Sequence, residues 1–410
     1  MRLRPVTLLA AVLALGLTAC ERAEERASDT GATTLTVYAS LPLQGPAGPE
    51  SEAVANGARL ALRQAGGKAG ELVVKLVVLD GSTPKAGRWT REQAADNART
   101  VVRDRTAIAY LGDGPSGATA ISLPILNAGG VPQVSPTSGD QGLTGSQDAG
   151  RGEPERYYPS GVRSFARPVP DDGVQARALV SGLTRKGCRR LQVLDDRGIA
   201  GSGLARAVER EAAEARIAVL GVGGRGELGE ELDVAAVVAG VEERGADCVV
   251  VAGALTERLP RLFDALHAAD PQLELFAGAE LATDAFAAAL GAGTQARTHL
   301  TAPPGVLEPL PGVRAFDRSY RDAFGLPART GAIYGSEAMK LILAAIERAG
   351  ALGNDRAAVT RALFGLGKRT SPVGGYRIDA DGNTTSTAYS LLDVRAGRLV
   401  RRRTGSFPPG

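Results

Sequence analysis

The sequence predicts an α/β protein built from two doubly wound, parallel sheets. Three observations carry this. From residue 35 onward, apolar runs of strand length alternate with segments whose apolar residues recur at helical spacing. The alternation runs β-α-β-α-β-α and then restarts near residue 174. No charge run or low-complexity stretch separates the halves, so they are expected as lobes packed face to face rather than as beads on a string.

The first unit opens on a strand at 35–39. A helix at 51–64 follows, with Val54, Ala58, Ala61 and Leu62 at helical spacing. Then come a strand at 72–79, a helix at 91–102, a strand at 106–111, a helix at 118–128 and a short strand at 131–134. The second unit holds helices at 174–184, 203–215, 234–243 and 259–269, and strands at 191–194, 217–220, 248–252 and 273–277. Helices are expected around 283–290, 314–324, 336–349 and 357–364. The chain closes on a strand pair, 375–378 and 388–394, around Asp381-Gly382-Asn383.

Composition excludes several classes. The chain carries 48 Lys and Arg against 45 Asp and Glu, and two of the arginines lie in residues 1–19, so the remainder is close to neutral. Nucleic-acid binding needs a basic footprint that is missing here. Aromatic residues make up 4%, so the cores must be built from Ala, Val and Leu. His267 and His299 are the only histidines and stand apart, which argues against zinc sites and a His-based triad. No metal and no cofactor is expected.

The chain begins Met1-Arg2-Leu3-Arg4, continues almost wholly apolar over 6–17, and reaches Leu17-Thr18-Ala19-Cys20. Charge, apolar run and small residues are the three parts of a secretory signal, too short for a spanning helix of about 20 residues. The cysteine at the cleavage position resembles the lipobox of bacterial lipoproteins. That resemblance implies removal of residues 1–19, lipidation of Cys20, and work outside the cytoplasm on the bacterial cell membrane. The polar stretch 20–34 then reads as a tether; about 14 residues of coil span roughly 20 Å. Cys188 and Cys248 remain as an even pair in an oxidising compartment. In a doubly wound order 2-1-3 their strands are neighbours. A disulfide is expected provided that Cys188 does not sit two residues too early for a Cα spacing of about 4.4–6.8 Å; otherwise both are small buried thiols.

Two segments match the dinucleotide fingerprint, Gly112-Asp113-Gly114-Pro115-Ser116-Gly117 and Gly221-Val222-Gly223-Gly224-Arg225-Gly226. Neither follows the first strand of its unit, where that motif belongs, so neither is read as a cofactor site. A glycine-rich turn opening a helix still offers free backbone amides to an anion. Gly114, Ser116 and Gly117 are therefore candidates for holding a carboxylate. The loop Ser135-Pro136-Thr137-Ser138-Gly139-Asp140 follows the next strand and adds Thr137 and Ser138 hydroxyls at the same sheet edge. The chain lacks a complete nucleophile elbow, a P-loop and His-Glu-x-x-His; Asp195-Asp196 and Glu242-Glu243 read as a strand-end turn and a solvated helix face.

In order along the chain, several runs resemble the periplasmic binding proteins of the Leu/Ile/Val type. They are Gly45-Pro46-Ala47-Gly48, Asn56-Gly57-Ala58-Arg59-Leu60-Ala61, Val78-Leu79-Asp80, Val131-Pro132-Gln133-Val134-Ser135-Pro136 with Leu143-Thr144, and Val193-Leu194-Asp195-Asp196 with Gly201. Gly245-Ala246-Asp247-Cys248-Val249-Val250, Tyr334-Gly335-Ser336-Glu337-Ala338-Met339 and Gly375-Tyr376-Arg377-Ile378-Asp379 follow. The resemblance implies two lobes joined by three crossovers and closing on a ligand. One lobe is expected at 33–165 with 280–370, the other at 166–279 with 371–400. It implies a monomeric solute-binding lipoprotein of an ABC permease, without enzymatic activity, taking an amino acid or similar small carboxylate. Gly114 to Gly117 and Thr137, Ser138 and Gly139 fall on its ligand loops, with glycine in place of a frequent threonine at Gly139. Ala200 replaces a frequent tyrosine. Glu257 or Glu280 is expected to take a ligand amine. A ligand-sensing or partner-binding lipoprotein without transport is the alternative, motivated by the missing tyrosine; a secreted hydrolase lacks a nucleophile–base pair.

Overall fold

The computed structural model describes residues 33–409 apart from 146, 148, 223–227 and 229–231. The signal segment, Cys20, the tether up to residue 32 and residues 223–226 of the second glycine-rich motif lie outside the described residues.

The first lobe is a six-stranded sheet in the order β2-β3-β1-β6-β7-β8. Its strands are β1 (Thr34–Leu41), β2 (Lys68–Ala69), β3 (Leu72–Asp80), β6 (Ala107–Gly112), β7 (Gln133–Val134) and β8 (Phe165–Ala166). All run parallel except β2. A small hairpin, β4 (Ser82–Thr83) and β5 (Arg88–Trp89), follows β3. Helices α1 (Gly48–Gln64), α2 (Arg91–Arg103) and α3 (Ser116–Ala128) connect the strands. Leu35, Val37, Ala39 and Leu41 of β1 pack into one core with Val54 and Ala58 of α1. Tyr110 of β6 packs on the other face with Ala98 and Val101 of α2 and Leu126 of α3. Thr90 caps α2, its hydroxyl accepting from the Gln93 amide at 3.2 Å.

The second lobe is a seven-stranded sheet, β10-β9-β11-β12-β13-β16-β17. It comprises β9 (Arg190–Asp195), β10 (Ala218–Val222), β11 (Cys248–Ala252), β12 (Glu274–Ala277), β13 (Thr298–Ala302), β16 (Ala388–Arg395) and β17 (Arg398–Ser406). The first five are parallel; β16 and β17 join antiparallel. Helices α4 (Asp172–Lys186), α5 (Ile199–Glu214), α6 (Val234–Arg244), α7 (Leu259–Ala269), α8 (Asp284–Ala289) and α9 (Ala292–Arg297) belong here. Leu275, Phe286 and Leu300 share a core with Phe263 of α7. The chain then returns to the first lobe through α10 (Pro311–Phe324), α11 (Thr330–Ala349) and α12 (Arg356–Phe364). Ile342 and Ile346 of α11 and Val359 of α12 complete the first core. The chain thus crosses between lobes three times, after β8, after β13 and before β16.

Three expectations need correction. Residues 280–302, expected in the first lobe, lie in the second, because 298–302 forms β13, paired on both sides. Within 298–302, Leu300 enters the apolar core and Ala302 packs against it. His299 instead sits between Asp393 at 2.9 Å and Glu274 at 2.7 Å, so the strand carried no apolar signature. The strand at 375–378 does not pair with 388–394. Gly374–Tyr376 (β15) pairs with Arg369–Ser371 (β14), and only the Ile378–Thr384 bridge spans the Asp381-Gly382-Asn383 turn. Tyr376 and Ile378 pack in the first core, so 371–378 stays with the first lobe. Finally, Phe165–Ala166 closes the first sheet, placing Ala166 there rather than in the second lobe.

Cys188 and Cys248 form a disulfide with a Cα separation of 5.8 Å. The left-handed Gly187 ends α4 and turns the chain back, and the Cys188 amide donates to Leu183 O at 3.1 Å. That turn, invisible as a length, brings Cys188 over the first residue of β11.

Candidate functional site

The site is built at the carboxyl ends of the parallel strands, starting with the turn after β6. Buried Asp113 anchors it. Tyr110 OH donates to Asp113 Oδ1 at 2.8 Å, the Ser122 hydroxyl donates to Oδ2, and Gln133 Nε2 donates to Gly112 O at 2.8 Å. Burial pushes the Asp113 carboxyl up to about 6 against the pull of those hydroxyls. The anchored turn starts α3 at Ser116 after Pro115, with no side-chain cap. Pro115 O receives the amides of Ala118 and Thr119. The Ser116 and Gly117 amides have no hydrogen-bond acceptor among the described residues. A Cβ on Gly117 would stand 2.7 Å from the ring of Trp89, so the only tryptophan lies across this turn.

The loop after β7 is bolted to that turn. Ser135 Oγ donates to Asp113 O at 2.7 Å and accepts from the Ser138 amide at 3.1 Å. Ser138 is buried; its Oγ lies 2.7 Å from Thr119 Oγ1 and 3.2 Å from Gly114 O. Exposed Thr137 donates its hydroxyl to Gly114 O at 2.7 Å. Both hydroxyls, expected as ligand donors, therefore brace one loop against the other. Ser116 Oγ accepts from the Asp140 amide at 3.2 Å. A Cβ on Gly139 would stand 2.2 Å from Asp172 Oδ1, so a threonine there would collide with the first residue of α4.

The second lobe brings the ends of β9, β11 and β12. Asp196 accepts from the Gly198 amide at 2.8 Å and the Ala254 amide at 2.9 Å, tying two of these loops together. Half-buried Ala200 lies in the first turn of α5, which has no side-chain cap. Its neighbour Ile199 packs against a first-lobe cluster that includes Leu123, Leu143 and Tyr158. Glu280 sits in the turn after β12, reached by solvent. The walls around it desolvate the carboxylate, and with Asp196 they raise its pKa to about 7. Glu257 lies exposed on the turn before α7, with no hydrogen bond or ion pair to the other candidates.

Between the lobes stands Arg167, fully buried and not singled out by the sequence reading. Its Nη1 donates to Ser138 O at 3.1 Å and Asp140 O at 2.7 Å; Nη2 donates to Thr144 Oγ1 and Asn383 Oδ1, both at 2.7 Å. Nε donates to Asn383 Oδ1 at 2.9 Å. This one side chain fixes the first and third crossings to the ligand loop. Asp140, Asp172 and Trp89 were also missed. The lone arginine in Phe165-Ala166-Arg167-Pro168-Val169-Pro170 was the available signal, and the acidic pair Asp171-Asp172 stood just before a helix, which Asp171 caps.

The buried acids set the pH response. Burial raises Asp140 to about 6, helped by Glu153 and opposed by Arg167, Arg206 and Arg156. Burial raises Asp172 well above the usual carboxylate range, reinforced by Asp140, Asp171 and Glu280 and opposed by Arg167. With Asp113 and Glu50, which burial also raises, and solvent-reached Glu280, five carboxyls hold protons in the native state that the unfolded chain releases above about pH 4. Stability must fall as pH rises through about 4 to 7. Glu274, held at about 2 by His299, Arg297 and Lys186, acts only at lower pH. The thermal midpoint is expected to be higher at pH 5 than at pH 8; a midpoint that rises over that interval contradicts the assignment.

Two parallel α/β lobes, crossed three times and meeting at polar strand-end loops, define a hinged two-lobe binding protein. The chain belongs to the periplasmic binding protein family, whose model matches residues 34–398. It is 25% identical over 376 residues to the Leu/Ile/Val-binding protein BraC3 of Rhizobium johnstonii, covering 89% of this chain and 93% of that one. The leucine binding protein LivK of Thermotoga maritima shares the fold with a TM-score of 0.77 at 18% identity, covering 91% of this chain and 99% of its own. A solute binding protein of R. palustris, solved with benzoate, has a TM-score of 0.74 at 19% identity, covering 91% and 96%. Among the described residues, no helix is long and apolar enough to cross a membrane.

Proposed function

We propose that this chain is the lipid-anchored solute-binding component of an ABC importer, and that it takes an amino acid or similar small carboxylate between its lobes. The observation that carries the ligand class is the pair of unpartnered amides, Ser116 and Gly117, at the uncapped start of α3. Amides and helix dipole together favour an anion there. The β7 loop holds the turn rigid, so its geometry is set before ligand arrives. Calorimetric screening of amino acids, small carboxylates, amides and uncharged sugars tests this reading. Saturable binding confined to carboxylates supports it; binding of a sugar with no response to any carboxylate contradicts it.

The anchor rests on Leu17-Thr18-Ala19-Cys20 after its charged, apolar lead. Cys20→Ser is expected to move the protein from the membrane fraction to the soluble fraction. Retention of the variant at wild-type level would assign the anchoring to something else.

A further inference from the structure

The site holds more carboxyl groups than a single ligand amine needs. Asp140 comes from the loop after β7, Asp172 from the first turn of α4, and Glu280 from the turn after β12. Asp140 is 1% exposed and Asp172 8% exposed. Asp140 Oδ2 is buried with no hydrogen-bond partner. No hydrogen bond or ion pair reaches the side chain of Asp172 or Glu280 from the described residues. Asp172 Oδ1 lies against Gly139 of the ligand loop, and Asp140 lies against Gly203 of α5.

Nearby cations do not pair with these acids. Arg167 commits its donors to Ser138 O, Asp140 O, Thr144 and Asn383. Arg206 and Arg156 act on Asp140 through space. When ionised, the acids repel one another through space, Asp140, Asp171 and Glu280 acting on Asp172, and Asp196 on Glu280. A buried carboxylate without a partner is costly, and such costs persist at binding sites. A metal ion does not fit the spacing. Among the described residues, the group of possible ligand atoms within 4.8 Å of one another is Cys188, Asp247 and Cys248, and its cysteines are bonded together. Protonation neutralises these acids in the empty protein; a larger organic cation would compensate them once they ionise.

We propose that the cleft takes an amino acid whose side chain carries a second cationic group, an ammonium or a guanidinium, its two positive groups received by Asp172 and Glu280 while its carboxylate lies on the amides of Ser116 and Gly117. This rests on the reading of the chain as a solute-binding protein. Asp140 deepens the negative field from the loop beneath.

The test is calorimetric titration of the purified protein and of its Glu280→Gln and Asp172→Asn variants at pH 8 with arginine, lysine, ornithine, leucine, isoleucine and benzoate. Arginine, lysine or ornithine is expected to bind at least a hundredfold tighter than leucine, isoleucine or benzoate. Each variant is expected to lose tenfold or more toward the basic ligand. Asp172→Asn, which replaces an unpaired buried carboxyl by a neutral amide of the same shape, is expected to unfold at an equal or higher temperature than the parent. Glu280→Gln, at a solvent-reached position, gives the same readout should Asp172→Asn not fold. Leucine, isoleucine or benzoate binding as tightly as the basic amino acids, or Glu280→Gln leaving basic-ligand affinity unchanged, overturns this inference and leaves the solute-binding reading standing. Failure of all six to bind the parent protein overturns this inference, and the wider screen above then decides the solute-binding reading.

Discussion

Arg167→Met is expected to destabilise the protein by about 3–5 kcal/mol, the usual range for removing one member of a buried charged network. The side chain is fully buried and donates to four residues drawn from the ligand loop and the third crossing. Methionine fills much of the volume but leaves Ser138 O without a donor, Asp140 O with only the long Leu143 amide at 3.4 Å, and Asn383 Oδ1 with only the Thr144 hydroxyl at 2.8 Å. It also removes a compensating charge that acts on both Asp140 and Asp172. Lysine keeps the charge and loses the planar fork, so Arg167→Lys is expected to fall between the two. Urea unfolding reads both. A loss under about 1 kcal/mol for Arg167→Met would show that the crossings hold without it.

Loss of the disulfide is the second large effect. Cys188 and Cys248 are 60 residues apart. In the chain-entropy model a loop of that length contributes roughly 4 kcal/mol. The double variant Cys188→Ala/Cys248→Ala is expected to lose most of this, and reduction of the parent protein to lower its urea midpoint comparably. Mass labelling of the denatured, unreduced protein is expected to find neither cysteine free. Labelling of both would remove the cross-link from the account.

The fold was legible where burial is strong. The strands at 107–112 and 248–252 are buried at every position and stood out as continuous apolar runs. The strands at 298–302 and 398–406 did not. The first is held by His299 and its carboxylates, and the second, Arg398–Ser406, is a charged edge strand with four arginines. Misreading 298–302 is what displaced the lobe boundary. The ligand loops were legible as positions but not as chemistry. Gly114 to Gly117 opens a helix, as glycine spacing suggested, yet the Ser138 hydroxyl turned inward because Gly114 O and Thr119 lie beside it. Gly139 looked like a lost threonine; its reason, Asp172, lies 33 residues away in the sequence and against it in space. Trp89 carried no motif, and only the packing over Gly117 shows where it stands.

The central claim is that the start of α3 receives the ligand's carboxylate, and Ser116→Pro tests it most directly. Ser116 is the first residue of α3, where proline is tolerated because that amide has no helical partner. Pro115 before it already has an extended ψ of 140°, which a following proline accepts. The substitution removes one amide donor; Ser116→Ala, run beside it, removes only the hydroxyl that receives the Asp140 amide. A hydrogen bond to a charged group contributes about 1.5–3 kcal/mol. Calorimetry with the best ligand should therefore show Ser116→Pro binding roughly ten- to a hundredfold more weakly than Ser116→Ala, with both variants folded. Equal affinity of the two would place the carboxylate elsewhere and contradict the account.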